Sequence, residues 1–184
     1  DDDGTFVMDA RRIGAKKICR VLPPERYLGF SQAGTVESWS NEVAAPCEEE
    51  PFLVMAICMG FAAPLKHVVL QQGAVLNFIG RTSTGKTTAV KVSASVFIDP
   101  SHGVQSWDAS EPAIDRMIER FSSFLLPIDE ILAGLNPKQH VALLHRFAAQ
   151  KTKQKAPGFG GGVRASVLAL STEEHDQSMR RPEM

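Results

Sequence analysis

The sequence predicts an α/β protein with three layers, α/β/α, built on a mostly parallel β-sheet. From residue 74 onward, short apolar segments alternate with segments of helical character, which is typical of βαβ units. A glycine-rich loop at residues 80–87 joins one of these strands to the following helix. The chain has 184 residues and is 43% hydrophobic, which is sufficient for one domain with a packed core.

Residues 1–72 are predicted to form a small N-terminal region, and residues 73–184 the core. Residues 5–35 combine short apolar runs with several glycines and prolines, which indicates loops and short strands. Only twelve residues follow Thr172, too few for the further helix and strand that such a core normally has. We therefore expect the core to be truncated at the C-terminus.

Two helices are predicted ahead of the core. Thr35 is a candidate N-cap for a helix at 36–45. A second helix, at 52–62, begins just after a proline, and Pro64 is expected to kink or restart it. The core elements follow: a strand at 74–79, a helix at 85–96, a weak strand at 104–107, a helix at 111–120, a strand at 124–128, a helix at 138–150, a loop at 151–162 and a strand at 163–170.

The loop at 80–87 reads Gly-Arg-Thr-Ser-Thr-Gly-Lys-Thr, a complete G-x-x-x-x-G-K-[ST] phosphate-binding (Walker A) motif. The glycines permit a tight turn, and the backbone N–H groups and the dipole of the next helix favour an anion there. Lys86 would reach the β- and γ-phosphates, and the Thr87 hydroxyl would bind Mg²⁺. A plain glycine-rich turn is the alternative. The predicted nucleotide-binding residues are Gly80, Arg81, Thr82, Ser83, Thr84, Gly85, Lys86, Thr87 and Thr88.

A second motif, of Walker B type, ends the apolar strand at 124–128. Asp129 would orient the Mg²⁺ shell, and Glu130 would polarise the attacking water. Adjacent carboxylates repel each other when buried, and a nearby divalent cation removes that penalty. The alternative is an Asp-Glu pair that caps a helix. Pro127 cannot donate a ladder hydrogen bond, so its nitrogen must face no partner or the strand must be irregular.

The strand at 163–170 is followed by Ser171 and Thr172. In hydrolytic ATPases with a phosphate-binding loop, a polar residue at this strand end senses the γ-phosphate. Either hydroxyl can do so, and a plain strand-end turn is the alternative for each.

Charge is distributed unevenly along a chain whose net charge is −1. Residues 131–172 contain six basic and no acidic side chains. The loop at residues 151–162 belongs to this stretch and precedes the last strand. In ring-shaped helicases, insertions at this position grip single-stranded nucleic acid. Lysines neutralise phosphates and an aromatic ring stacks on bases. A disordered surface loop is the alternative. The candidate nucleic-acid residues are Lys151, Lys153, Lys155, Phe159 and Arg164.

Three widely spaced cysteines without a C-x-x-C pair favour reduced thiols in a cytoplasmic protein. The longest apolar stretch, residues 52–65, has fourteen residues, too few to span a bilayer, and is predicted to be a buried helix. No membrane association is expected.

Several segments together resemble the domain-of-unknown-function 927 family (DUF927), helicase-like ATPases of bacteria, phages and integrated elements. The resemblance covers roughly residues 25–178, and five segments carry it: residues 34–39, 61–65, 80–88, 128–130 and 170–174. The family usually has Ser-Thr-Gly-Glu after the sensor strand. Here Glu173 stands at the glycine position and Glu174 matches the acid.

The resemblance implies ATP hydrolysis, with ATP as substrate, and Thr87 and Asp129 predict Mg²⁺ as cofactor. The basic loop suggests single-stranded DNA as partner, and self-association into a ring is expected. Two alternatives remain: a nucleotide-binding regulatory or assembly module with little turnover, and a kinase for a small molecule. A water-activating glutamate argues against a kinase, because it would waste ATP.

Overall fold

The computed structural model describes residues 6–8, 11–13, 33–69, 73–129, 147 and 167–174. The strands are β1 (Phe6–Met8), β2 (Arg11–Ile13), β3 (Ala74–Gly80), β4 (Gln105–Ser106), β5 (Leu125–Asp129) and β6 (Leu168–Glu174). The helices are α1 (Val36–Trp39), α2 (Pro51–Val69), α3 (Lys86–Ala94), α4 (Pro100–Gly103) and α5 (Glu111–Arg120). The predicted loop at 151–162, and the predicted helix at 138–150 apart from Phe147, lie outside the described residues.

The core is a four-stranded sheet in the order β3-β6-β5-β4, and every neighbouring pair in it is parallel. β1 and β2 form a separate antiparallel pair. The carboxyl ends of the four core strands therefore lie at one edge of the sheet, where ligands bind in open α/β folds.

Helices cover both faces of this sheet. Because successive side chains of a strand alternate between faces, β5 and β6 each contribute to two separate cores. Leu125, Leu168 and Leu170 pack with residues of α2 and α3. Leu126 and Ala169 pack on the opposite face with α5 and Phe147. This confirms the predicted three-layer α/β fold.

The N-terminal helical segment begins where the sequence predicts. The Thr35 hydroxyl accepts from the Ser38 N–H, and the Ser38 hydroxyl accepts from the Thr35 N–H, so the two form a capping box. α1 is then continued by a π-helical segment, Ser40–Ala44, and a 3₁₀ turn, Ala45–Cys47.

α2 runs through Pro64 as one helix to Val69, so it does not restart there, and the alternative of a kink at Pro64 stays a prediction. Pro64 removes one intrahelical hydrogen bond, but Ala56 and Ala63 are fully buried against α3 and the sheet and hold the helix. Gly60 permits the close approach, since a Cβ there would lie 2.8 Å from the Ser93 carbonyl oxygen. Only one side of α2 is buried, because Met55 and Leu65 are exposed. Within the described part of the chain, no helix is long and apolar enough to cross a membrane.

β6 differs from its predicted course, because it continues to Glu174 instead of ending at residue 170. All of β3 pairs with it, from Ala74 opposite Leu168 to Gly80 opposite Glu174, and this long parallel ladder keeps the strand extended. Ser171 and Thr172 are thus inside the strand. At position 173, where the family's glycine would favour a turn, this chain has glutamate and β6 continues.

β5 accommodates Pro127 because its two neighbours differ in length. β6 pairs with Pro127 through Leu170, whereas β4 pairs only with Ile128 and Asp129. One side of the strand is therefore without a ladder partner at Pro127, and a residue lacking an N–H is tolerated there.

Lys66 lies on the buried side of α2, with 2% of its surface exposed, and its Nζ donates to the Ser122 carbonyl oxygen at 2.8 Å. Burial lowers the pKa of Lys66 from 10.5 to about 8. Between these values the unfolded chain holds more protons than the folded one, so the free energy of unfolding rises with pH in this window.

We expect the pH dependence of stability to differ between the wild type and Lys66→Met, which cannot titrate at this position. Between pH 7.5 and pH 10 the wild type should gain about 2 kcal/mol relative to the variant, because the cost of burying the charge disappears as Lys66 loses its proton. Urea unfolding of both proteins across this range measures the difference. Parallel pH profiles of the two proteins would contradict the lowered pKa of Lys66 in the folded state.

Candidate nucleotide-binding site

The predicted phosphate-binding loop lies between the end of β3 and the start of α3. Its backbone turns through a left-handed conformation at Ser83 (φ 61°) and Gly85 (φ 86°). Gly80 is instead the last residue of β3, where a Cβ would lie 3.3 Å from the Thr84 hydroxyl oxygen. The motif includes Ser83 but does not indicate that its φ is positive, because a positive φ at a non-glycine residue has no local signal in the sequence.

The first turn of α2 packs against the loop. A Cβ on Gly85 would lie 3.3 Å from the Phe52 ring, and this ring packs edge-to-face on Phe78 of β3 with centroids 6.2 Å apart. The glycine is thus required both by its φ and by the ring behind it. Phe52 opens the apolar stretch that is predicted to be a buried helix, but nothing in the sequence indicates that its ring reaches the loop.

Lys86 is the first residue of α3, and its side chain crosses the loop. Its Nζ donates to the carbonyl oxygens of Gly80, at 2.9 Å, and Arg81, at 2.6 Å. Both acceptors belong to the beginning of the loop, so the ammonium group lies at the Gly80 end. The carbonyl oxygens are uncharged acceptors, so a phosphate, which is charged, would be a stronger acceptor for the same ammonium group.

Asp129 connects three elements of the site. Its Oδ1 accepts from the Thr172 hydroxyl at 2.8 Å and from the Thr87 hydroxyl at 3.3 Å. Thr87 belongs to α3, Asp129 ends β5, and Thr172 lies in β6. Parallel strands end at the same edge of the sheet, and α3 begins at that edge. Three side chains that are far apart in the sequence therefore meet there.

Ser171 and Thr172 have different surroundings, because neighbouring residues of a strand point to opposite faces. Thr172 lies on the α3 side with Asp129. Ser171 is fully buried on the other side, where its hydroxyl accepts from the Trp107 indole N–H at 2.8 Å. Trp107 in turn packs edge-to-face on Phe147, with ring centroids 5.2 Å apart. The geometry therefore favours Thr172 over Ser171 as the sensor, and that role stays a prediction.

These side chains surround a cleft of about 530 Å³ at the carboxyl edge of the sheet. The residues that line it are Thr82, Ser83, Thr84, Gly85, Lys86, Thr87, Thr88, Asp129, Thr172 and Glu174. Most of the predicted nucleotide-binding residues thus meet in one cleft. Glu174 was not among the predicted site residues. The alternation along β6 would have placed it beside Thr172 if the strand had been extended that far in the prediction.

The donor set fits a magnesium ion. Mg²⁺ prefers carboxylate and other oxygen ligands and keeps several waters. Thr87 and Asp129 offer a hydroxyl and a carboxylate oxygen within 3.3 Å of each other. These two residues are the ones that the sequence predicts as ligands of the ion, and their role stays a prediction.

Glu130 and the five candidate nucleic-acid residues lie outside the described residues. Their predicted roles stay predictions: Glu130 as the base, and Lys151, Lys153, Lys155, Phe159 and Arg164 as contacts to nucleic acid.

A family model described as "Domain of unknown function (DUF927)" matches residues 1–167. The chain belongs to the DUF927 family. This confirms the resemblance predicted from the sequence. No curated protein matches the chain.

A solved structure titled "SCCmec type IV Cch - active helicase" superposes on this DUF927 chain with a TM-score of 0.69 and 20% sequence identity. At that identity the likeness shows a shared fold. The match covers 95% of this chain and 34% of the helicase chain, so the DUF927 chain corresponds to about a third of that protein.

Proposed function

We propose that this chain binds ATP with Mg²⁺ and hydrolyses it as the nucleotide-binding part of a helicase-like ATPase. The observation that carries the proposal is the shared acceptor Asp129, which Thr87 and Thr172 both contact in a cleft that also holds Lys86. The loop, the carboxylate that would bind Mg²⁺ and the candidate sensor are three of the parts that ATP hydrolysis requires, and they lie together.

Each residue has a distinct task in this mechanism. The loop N–H groups and Lys86 bind the β- and γ-phosphates, and the charge of Lys86 stabilises the negative charge that develops during transfer. Thr87 and Asp129 would hold Mg²⁺, which when bound would neutralise part of the phosphate charge. The Thr172 hydroxyl, which donates to Asp129 at 2.8 Å and lines the cleft, would sense the γ-phosphate. Glu130 accepts the proton of the attacking water.

We further propose that hydrolysis is coupled to DNA handling in a mobile-element or phage context. The basic composition of residues 131–172 and the fold shared with a protein titled an active helicase support this. The contacts to DNA would come from Lys151, Lys153, Lys155, Phe159 and Arg164, and assembly into a ring would let neighbouring chains share one strand.

The test is ATP turnover by the purified chain over a range of Mg²⁺ concentrations, with and without single-stranded DNA. Mg²⁺-dependent phosphate release supports hydrolysis, and stimulation by DNA supports the coupling. Stoichiometric ATP binding without release of phosphate, even with DNA at high protein concentration, favours the regulatory or assembly module. Salt-dependent DNA binding should weaken when Lys151, Lys153 and Lys155 become alanine.

Asp129→Asn is expected to raise the Mg²⁺ concentration needed for half-maximal turnover by about 10- to 100-fold. The amide still offers an oxygen to the hydroxyls of Thr87 and Thr172, but it lacks the charge that attracts the cation. Titrating Mg²⁺ at saturating ATP measures the shift. Asp108→Asn is the matched control, since Asp108 is exposed near the end of β4 and does not line the cleft. An unchanged Mg²⁺ requirement would exclude Asp129 as a ligand.

A further inference from the structure

Glu174 places a second carboxylate in the phosphate cleft, and the mechanism above does not use it. Its Oε1 accepts from the Thr82 hydroxyl at 2.9 Å, so the end of β6 is joined to the Gly80 end of the loop. The strand pairing also brings the end of β6 next to the start of the loop, because Glu174 is in register with Gly80. A carboxylate in a cleft built for an anion is unfavourable for binding unless it serves the site in another way.

The position of Lys86 indicates which part of a nucleotide this carboxylate would face. The Nζ donates to the Gly80 and Arg81 carbonyls, directly before Thr82. Because the lysine of such a loop reaches the β- and γ-phosphates, the terminal phosphates lie at the loop end where Thr82 and Glu174 meet. The carboxylate would therefore repel the γ-phosphate more strongly than the inner phosphates.

We infer that Glu174 is a positioning residue that holds the loop through Thr82 and weakens the binding of ATP relative to ADP. The inference rests on the proposed function. A triphosphate must displace the carboxylate from Thr82 or accept it as a close like charge, whereas a diphosphate meets less of that repulsion. Entry of the γ-phosphate is thereby coupled to β6, the strand that also carries Thr172.

The chain offers a matched control in Glu173. Its Oε2 accepts from the Asn77 amide at 2.7 Å. As a neighbour in the same strand, Glu173 points to the opposite face of the sheet from Glu174. Glu173→Gln and Glu174→Gln remove the same charge one residue apart, and a glutamine oxygen can still accept the hydrogen bond in either place.

The experiment is equilibrium binding of ATP and ADP, each with Mg²⁺, to the wild type, Glu174→Gln and Glu173→Gln at low and high salt. Glu174→Gln should tighten ATP binding about three- to tenfold and ADP binding less than twofold. The gain should shrink at high salt, because screening weakens the repulsion between exposed charges. Glu173→Gln should bind both nucleotides as the wild type does. A purely structural role for Glu174 would not change the ratio of ATP to ADP affinity.

Unchanged or weaker ATP binding by Glu174→Gln, or an equal gain for both nucleotides, would overturn the inference and leave the proposed function intact. An equal gain from Glu173→Gln would also overturn it, because the effect would then be general charge. A wild type that binds neither nucleotide would overturn the proposed function, and this inference with it. Thr82→Val should shift the ATP:ADP ratio if the hydroxyl holds the carboxylate in place, and an unchanged ratio would count against that contact.

Discussion

Lys86→Ala is expected to lower ATP turnover by about 10²- to 10³-fold, the cost of removing one preorganised electrostatic donor. Among the described residues that line the cleft, Lys86 carries the one positive charge, whereas Asp129 and Glu174 are both acidic. Without it, the phosphates of ATP would meet two carboxylates with no cationic side chain of the cleft to offset them. Nucleotide binding should weaken as well, and steady-state phosphate release and equilibrium ATP binding measure the two effects.

Lys91→Ala is the control for this variant. Lys91 is exposed on the same helix and does not line the cleft, so its loss changes the net charge equally. We expect it to keep turnover within about twofold of the wild type, as a surface substitution away from the site should. Retention of wild-type turnover by Lys86→Ala, with both variants folded by circular dichroism, would show that the cleft is not the site of hydrolysis.

The fold was largely predictable because its strands are short, apolar and separated by clear helix signals. β3 and β5 were placed within one residue of their observed starts and ends, and the bounds of α5 were predicted correctly. α4 was not predicted, since four residues give no helical periodicity. The course of α2 through Pro64 depends on packing against α3, and the length of β6 depends on its pairing with β3. Neither can be derived from local sequence.

The site was predictable where a motif fixes the spacing along the chain. Residues 80–88 and Asp129 follow from patterns in which each residue type has a chemical reason. Glu174 and Phe52 were missed as site residues because their contacts join distant parts of the sequence, β6 to the loop and α2 to Gly85. The choice between Ser171 and Thr172 needed the strand register, which assigns each residue to one face.

Glu130→Gln is expected to leave ATP binding near the wild-type level and to lower turnover by about 10²- to 10⁴-fold. Glutamine has nearly the same size as glutamate but cannot take the proton of the attacking water at neutral pH. Glu130 directly follows Asp129 in the sequence, and Asp129 is the last residue of β5 and lines the cleft. Binding of a fluorescent ATP analogue and single-turnover hydrolysis of labelled ATP separate the two effects.

Glu130→Gln and Glu174→Gln are expected to change different properties of the protein. Both substitutions remove one carboxylate, but Glu174→Gln should change affinity, whereas Glu130→Gln should change the rate of the bound state. Glu42→Gln, on the exposed π-helical segment away from the cleft, controls for the change in net charge. If Glu130→Gln hydrolyses ATP at the parental rate, another group activates the water. Asp129, whose carboxylate already lies beside Thr172, would then be the first described residue to test as the base.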